Sequence, residues 1–412
     1  MKKAMWFQLL LTLMIFLFAC KKKDGSDTTP TPPPSNDLSK LEAYNFVLGT
    51  HAISKSYQFT TENKLVEQAK KVREMGSNIL KISMGPNSTD LYDINETTKS
   101  TRVLDLFTKN LPYRTALDMD FKYIFLWVHT LAGFDWKNGI NASQEKILYD
   151  EMYDFASHLL SRYNNTGKTF LIGNWEGDWI LLPSYDRTQT PSAAFISNMT
   201  KWYQIRQKAI DDAKKASTAS NVFMYHYAEV NLVEKGMAGQ VCIAESILPN
   251  VDVDLVSYSS YEAIKDKTYA QKKTHLTNIF TYLESKLKPR TPALPFSRRV
   301  FIGEYGYQAT ATNAASMLKQ ASETKEIMRI SFELNLPFAL HWQMYNNEYD
   351  NNGVSKQMSL INESNIKMPL YFTHQNFYIK MNNYLKAFKE TNNTYPSTEA
   401  FKQKALEVLA TL

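Results

Sequence analysis

From residue 45 onward the chain repeats one alternation: a short run of β-branched, aromatic and aliphatic residues, then a loop, then an amphipathic helix. Eight such runs occupy residues 45–50, 78–83, 122–129, 169–174, 221–227, 253–258, 299–304 and 337–342. Short apolar runs bounded by turn residues read as buried strands. The segments between them carry the helical period. Residues 62–75 set Leu65, Ala69, Val72 and Met75 on one face, and Gly76 follows as a stop. Residues 145–162 repeat the spacing with Leu148, Met152, Phe155 and Leu159, and residues 199–213 with Trp202, Ile205 and Ala209.

Strands that alternate with helices lie parallel, because a parallel crossover needs about a dozen residues. Eight units closing on themselves make an α/β fold of the (β/α)8 or TIM-barrel type, expected here as a single domain over residues 41–412. An open doubly wound sheet is the competitor, and it usually carries a glycine-rich phosphate loop after its first strand. Leu48-Gly49-Thr50-His51 has one glycine.

Composition removes several function classes. With 44% hydrophobic and 21% charged residues, neither wholesale disorder nor a multi-span membrane protein is expected. The formal charge of +6 is spread along the chain, so no nucleic-acid partner is expected. Two cysteines, Cys20 and Cys242, are too few for a disulfide framework or a thiolate zinc site. Cys242 reads as a buried filler.

The first forty residues read as an address and a tether. Lys2 and Lys3 precede an apolar run over 5–19, which is too short and wrongly flanked for a spanning helix and suits a secretory signal. Leu17-Phe18-Ala19-Cys20 resembles a bacterial lipobox. That resemblance implies a signal peptide over 1–19, cleavage before Cys20, and a lipid on its thiol and new amine. Residues 20–40, with Pro30, Pro32, Pro33 and Pro34, then form an extended spacer. The expected location is the periplasmic or cell-surface side of a bacterial envelope, the outer membrane above all, with the lipid as the only membrane contact.

In this barrel the site forms where the strands end. Those ends carry His51, Trp127, His129, Asn174, Trp175, Glu176, His226, Glu229, Tyr258, Tyr261, Glu304, His341 and Trp342. Two glutamates stand out, in Gly173-Asn174-Trp175-Glu176 after strand four and Gly303-Glu304-Tyr305-Gly306 after strand seven. A charge at the end of an apolar strand is costly unless partnered. Strands four and seven face each other across the mouth, so both carboxyls can point into one cleft. Hydrolysis through a covalent sugar intermediate needs such a pair about 5–5.5 Å apart.

This arrangement resembles the (β/α)8 clan of retaining glycoside hydrolases that includes cellulases and β-mannanases. Gly303-Glu304-Tyr305-Gly306 is similar to the clan's nucleophile motif, His341-Trp342-Gln343 to its strand-eight end, and Met75-Gly76-Ser77-Asn78-Ile79-Leu80-Lys81 to its entry into strand two. The resemblance runs over roughly residues 44 to 390 in scattered motifs. It implies Glu304 as nucleophile, Glu176 as acid and base, Asn174 on the sugar 2-hydroxyl, Tyr258 holding Glu304, and Trp342 beneath the sugar ring. His51, Trp127, His129, Trp175 and His226 complete the expected substrate-binding set. Trp127, Trp136, Trp175, Trp179 and Trp342 all fall at or just past strand ends, and aromatic faces suit the C–H faces of pyranose rings.

Alternatives remain open at this level. Asp178 is a rival acid two residues beyond Glu176, and Trp175 separates Asn174 from Glu176 where the clan has an adjacent pair. Lys81 stands where the clan has an arginine, and is the partner a purely structural reading would give Glu304. His51, His129, His226 and His341 are the metal set considered, but no metal or other cofactor is expected. The function expected is a lipid-anchored glycoside hydrolase, monomeric, acting on a poly- or oligosaccharide. The alternative is a catalytically inactive barrel that binds glycan as a surface lipoprotein. The loops over 134–140 and 180–191 are the expected specificity determinants.

Overall fold

A computed structural model describes residue 38 and residues 40–94, 100–310 and 312–412. The expected signal peptide, the expected lipidation site Cys20 and nearly all of the expected tether lie outside the described residues. Eight parallel strands close in chain order: β1 Leu48–His51, β2 Ile79–Met84, β3 Tyr123–Val128, β4 Thr169–Gly173, β5 Phe223–Val230, β6 Leu255–Ser259, β7 Val300–Tyr305 and β8 Ala339–His341. Closure comes from β8 pairing with β1, Gly49 opposite Leu340 and Thr50 opposite His341. All eight expected runs are strands, and the architecture is the (β/α)8 barrel.

The outer helices start earlier or later than the apolar faces alone indicate, because their caps set the ends. Asn63 caps Lys64–Met75 by accepting from the Leu65 amide, and Gly76 ends it at φ 109°. Asn141 and Gln144 form a reciprocal capping box on Ala142–Arg162. Ser192 caps Ala193–Ala216. The packed part also reaches behind residue 41: Leu38 is buried, and its carbonyl accepts from Arg73 Nη1 at 2.9 Å.

Alternation along each strand decides what faces the barrel axis. A floor of rings fills the lower interior: Phe125 lies 4.9 Å from Phe338 and 5.4 Å from Phe301, and Tyr227 lies 5.7 Å from Phe301. Above that floor the inward positions turn polar, with Lys81, Glu229 and Ser257. Gly303 occupies the matching place on β7. A Cβ there would stand 1.6 Å from Ser257 Oγ and 2.9 Å from Glu229 Oε2.

Gly303 is also where the register of β7 breaks. Tyr258 pairs with Ile302 and Ser259 with Glu304, so one residue of β7 has no partner on β6. Such a bulge re-aims the side chains beyond it. It turns Glu304 inward, where strict alternation from Phe301 and Gly303 would have sent it out. Tyr305 is turned outward against His341, 5.5 Å between ring centroids.

Candidate active site

The two glutamates meet at the mouth around β6. Ser259, opposite Glu304 in the register, donates its hydroxyl to Glu176 Oε1. Glu304 is buried; its Oε2 accepts from the Tyr261 hydroxyl at 3.2 Å, and its Oε1 has no protein partner. Burial raises Glu304 well above the usual carboxylate range, and the charges of Glu176 and Glu229 add to it. Burial likewise raises Glu176 to about 7, with Glu229 adding and the Ser259 bond opposing. The charge of Glu176 thus makes Glu304 harder to ionise, and the charge of Glu229 does the same to both.

Beneath them lies a buried ion pair. Lys81 Nζ sits 2.6 Å from Glu229 Oε2, with neither side chain exposed. The ammonium also donates to the Gly303 carbonyl at 3.1 Å and lies 4.4 Å from the centroid of the Trp127 ring. Lys81 thus pairs with Glu229, not with Glu304. Glu229 stands among the strand ends without a role implied by the resemblance. The signal was a lysine and a glutamate each set inside an apolar strand, since buried opposite charges are retained only when paired.

His51, Trp127 and Trp342 line the same inward face. The His51 ring lies 5.0 Å from Trp342 and 5.7 Å from Trp127, and the two indoles are 6.0 Å apart. His51 Nδ1 is 3.0 Å from the His341 carbonyl. A carbonyl only accepts, so Nδ1 carries the proton. Burial, reinforced by Lys81, keeps the ring neutral, which leaves Nε2 as a buried acceptor without a partner. Trp127 Nε1 is likewise a buried donor without a partner. Trp175 is half-buried at the rim, 6.3 Å from the exposed Tyr185 ring. His129, just past β3, is half-buried against Gly85, and burial lowers it to about 4, with Arg206 contributing.

Three expected substrate contacts point elsewhere. Tyr258 faces out of the barrel toward Phe280, and its hydroxyl meets Glu262 at 3.4 Å. The hydroxyl on Glu304 belongs to Tyr261 instead. His226 also faces outward: Nδ1 lies 3.0 Å from Gln207 Oε1, and Nε2 accepts from Arg206 at 3.4 Å. Asn174 is buried with both ends of its amide committed. Its oxygen accepts from Tyr203 at 2.9 Å and from the Glu229 amide at 3.3 Å, and its nitrogen donates to the Trp175 and Glu229 carbonyls. One cause covers all three. Ser257, Ser259, Tyr227, Glu229 and Gly173 take the inward positions of β6, β5 and β4, and their neighbours must face the helices.

The rival acid is likewise committed. Asp178 is buried and accepts from the backbone amides of Asn231, Leu232 and Ile243 at 2.7 to 3.0 Å, tying together the turns after β4 and β5. Of the aromatic set, Trp136 stacks on Trp202 at 6.0 Å in the outer layer. The four histidines do not converge, because His341 packs on His374, 5.2 Å away outside β8. Among the described residues no group of three or more His, Cys, Asp or Glu could hold a metal ion. Cys242 is buried, and burial raises its thiol to about 12.

No protein-family model matches the sequence, and no curated protein does. Among solved structures, the chain is similar to native xylanase 10B from Thermotoga maritima, with 14% identity, a TM-score of 0.48, and coverage of 86% of this chain and 99% of that one. It is similar to a Bacteroidetes-affiliated GH5 cellulase linked with a polysaccharide utilization locus, at 13% identity and TM-score 0.47, over 88% and 95% of the two chains. A GH5-4 broad-specificity endoglucanase from Clostridum cellulovorans aligns at 12% identity and TM-score 0.46, over 83% and 95%.

Proposed function

We propose that the chain is a retaining glycoside hydrolase acting on a poly- or oligosaccharide, held by a lipid on Cys20 at the periplasmic or outer face of a bacterial envelope. The observation that carries the hydrolase reading is the pair of glutamates around Ser259, each raised by burial and each sensing its neighbours' charge. The first step requires one carboxyl ionised and the other protonated, and in this pair the charge of Glu176 acts on Glu304. The Glu304 oxygen without a protein partner attacks the anomeric carbon. The glycosidic C–O bond breaks, and its oxygen takes the Glu176 proton. In the second step Glu176, now a carboxylate, takes a proton from water as the water oxygen attacks the same carbon, and the bond to Glu304 breaks. Trp127 and Trp342 offer ring faces to the sugar, while His51 Nε2 and Trp127 Nε1 offer an acceptor and a donor to its hydroxyls.

Sugar release from a panel of polysaccharides and aryl glycosides, measured beside binding, tests the reading. Release is expected from at least one substrate and is abolished by Glu304→Gln in a protein that still folds. A fully active Glu304→Gln protein would overturn it. Binding without release across the panel would favour the glycan-binding lipoprotein instead.

A further inference from the structure

The two glutamates are joined from below by one polar group of the barrel. Glu229 Oε2 accepts from Lys81 at 2.6 Å and from Ser257 Oγ at 2.7 Å, while Oε1 accepts from the backbone amide of Glu176 at 3.2 Å. Its own backbone carbonyl and amide meet the Asn174 side chain, and a Cβ on Gly177 would stand 2.9 Å from that carbonyl. Segment 174–177, which carries Glu176, is therefore moulded on Glu229. The other half of the pair reaches β7: Lys81 donates to the carbonyl of Gly303, the residue before Glu304. Gly303 lets this happen, since any side chain there would displace Ser257 and Glu229.

We propose that Lys81 and Glu229 form a positioning pair for the reaction, Glu229 holding Glu176 by its amide and Lys81 holding Glu304 through the Gly303 carbonyl, with the charges of both set behind the two carboxyls. This rests on the hydrolase reading of Glu176 and Glu304. The pair touches no reacting atom. Its influence is geometric and electrostatic: the charge of Glu229 disfavours ionisation of both Glu176 and Glu304, and the charge of Lys81 favours it. The titratable groups facing Glu229 are Lys81 from β2, Glu176 from the turn after β4, Tyr227 on its own strand, Tyr203 from the outer helix and Glu304 from β7. Both tyrosines are raised by burial, so neither carries charge near neutral pH.

Half-pair variants separate this role from plain support of the fold. Glu229→Gln leaves the Lys81 charge unopposed, and both glutamates are expected to titrate at lower pH by about one unit or more. Lys81→Met leaves the Glu229 charge and shifts them upward. Ser257→Ala removes one hydrogen bond and no charge, and is expected to leave the titration in place. The measurement is a carboxyl carbon-13 NMR titration of the glutamates in the full chain, assigned with Glu176→Gln and Glu304→Gln, beside the pH profile of sugar release. Should Glu229→Gln fail to fold, Lys81→Met carries the test with its opposite sign. An unmoved titration in the folded variant overturns the proposal, whether or not turnover falls. If the titration moves but Glu304→Gln stays fully active, the electrostatic link of the pair to the two carboxyls stands, while the hydrolase reading and the positioning role that rests on it fail.

Discussion

Gly303 and Ser257 face each other across β7 and β6 so closely that a methyl group on the glycine would lie 1.6 Å from the serine hydroxyl. The closeness has two effects at once. It leaves room for the Lys81–Glu229 pair, and it falls at the bulge that turns Glu304 into the mouth. Gly303→Ala is therefore expected to destabilise the barrel by about 1–3 kcal/mol and to remove activity together with stability. Adding Ser257→Ala should recover part of the melting temperature, because the closest atom is then gone. Thermal denaturation of the single and double variants checks this.

Tyr261 and Tyr258 make opposite predictions. Tyr261 donates to Glu304, whereas Tyr258 is packed outside the barrel on Phe280. A hydrogen bond to a charged group contributes about 1.5–3 kcal/mol. Tyr261→Phe is thus expected to lower kcat/KM roughly ten- to a hundred-fold with little change in melting temperature. Tyr258→Phe should leave kcat/KM unchanged. Steady-state kinetics on one substrate distinguishes the two.

The raised carboxyl of Glu176 makes stability depend on pH with a definite sign. Its ordinary value is 4.5 and in the fold it is raised to about 7, so between those values the native protein holds a proton that the unfolded chain has released. Stability from this group falls as pH rises through that window and stays lost above it. Glu176→Gln removes the slope. The variant is expected to melt above the parent at pH 8 and level with it at pH 4, while the parent's turnover declines above pH about 7 as the acid loses its proton. Melting curves across that range show whether the sign is right.

Removal of the acid has a chemical signature. Glu176→Ala is expected to slow substrates with poor leaving groups most and those with activated leaving groups least, since only the former need the proton. Added azide should restore part of the rate by taking the place of the activated water. Equal slowing of both substrate types, with no azide effect, would point to damage unrelated to proton transfer.

His226→Asn tests the outward assignment. The ring bonds Gln207 and Arg206 between β5 and the outer helix, so the variant should lose stability by about 1 kcal/mol or more and leave KM unchanged. A raised KM at unchanged melting temperature would return His226 to the site.

The strand runs and their order were legible because apolar runs and helical periods are local properties of the chain, and only one closure accommodates eight right-handed crossovers. Glu176 and Glu304 were legible for the same reason, as carboxyls at the ends of apolar strands. Their neighbours were not. Tyr258 reads as well as Tyr261 until it is known that Ser257 and Ser259 hold the inward positions of β6.

By itself, then, the order of residues determined the barrel and which residues lie near its rim, since both follow from patterns a few residues long. The tertiary structure alone decided which of those residues turn inward. A strand has two faces, and the face that meets the axis depends on packing from every other strand and, on β7, on a single unpaired residue. It alone decided, too, that Lys81 and Glu229, 148 positions apart, share one buried contact.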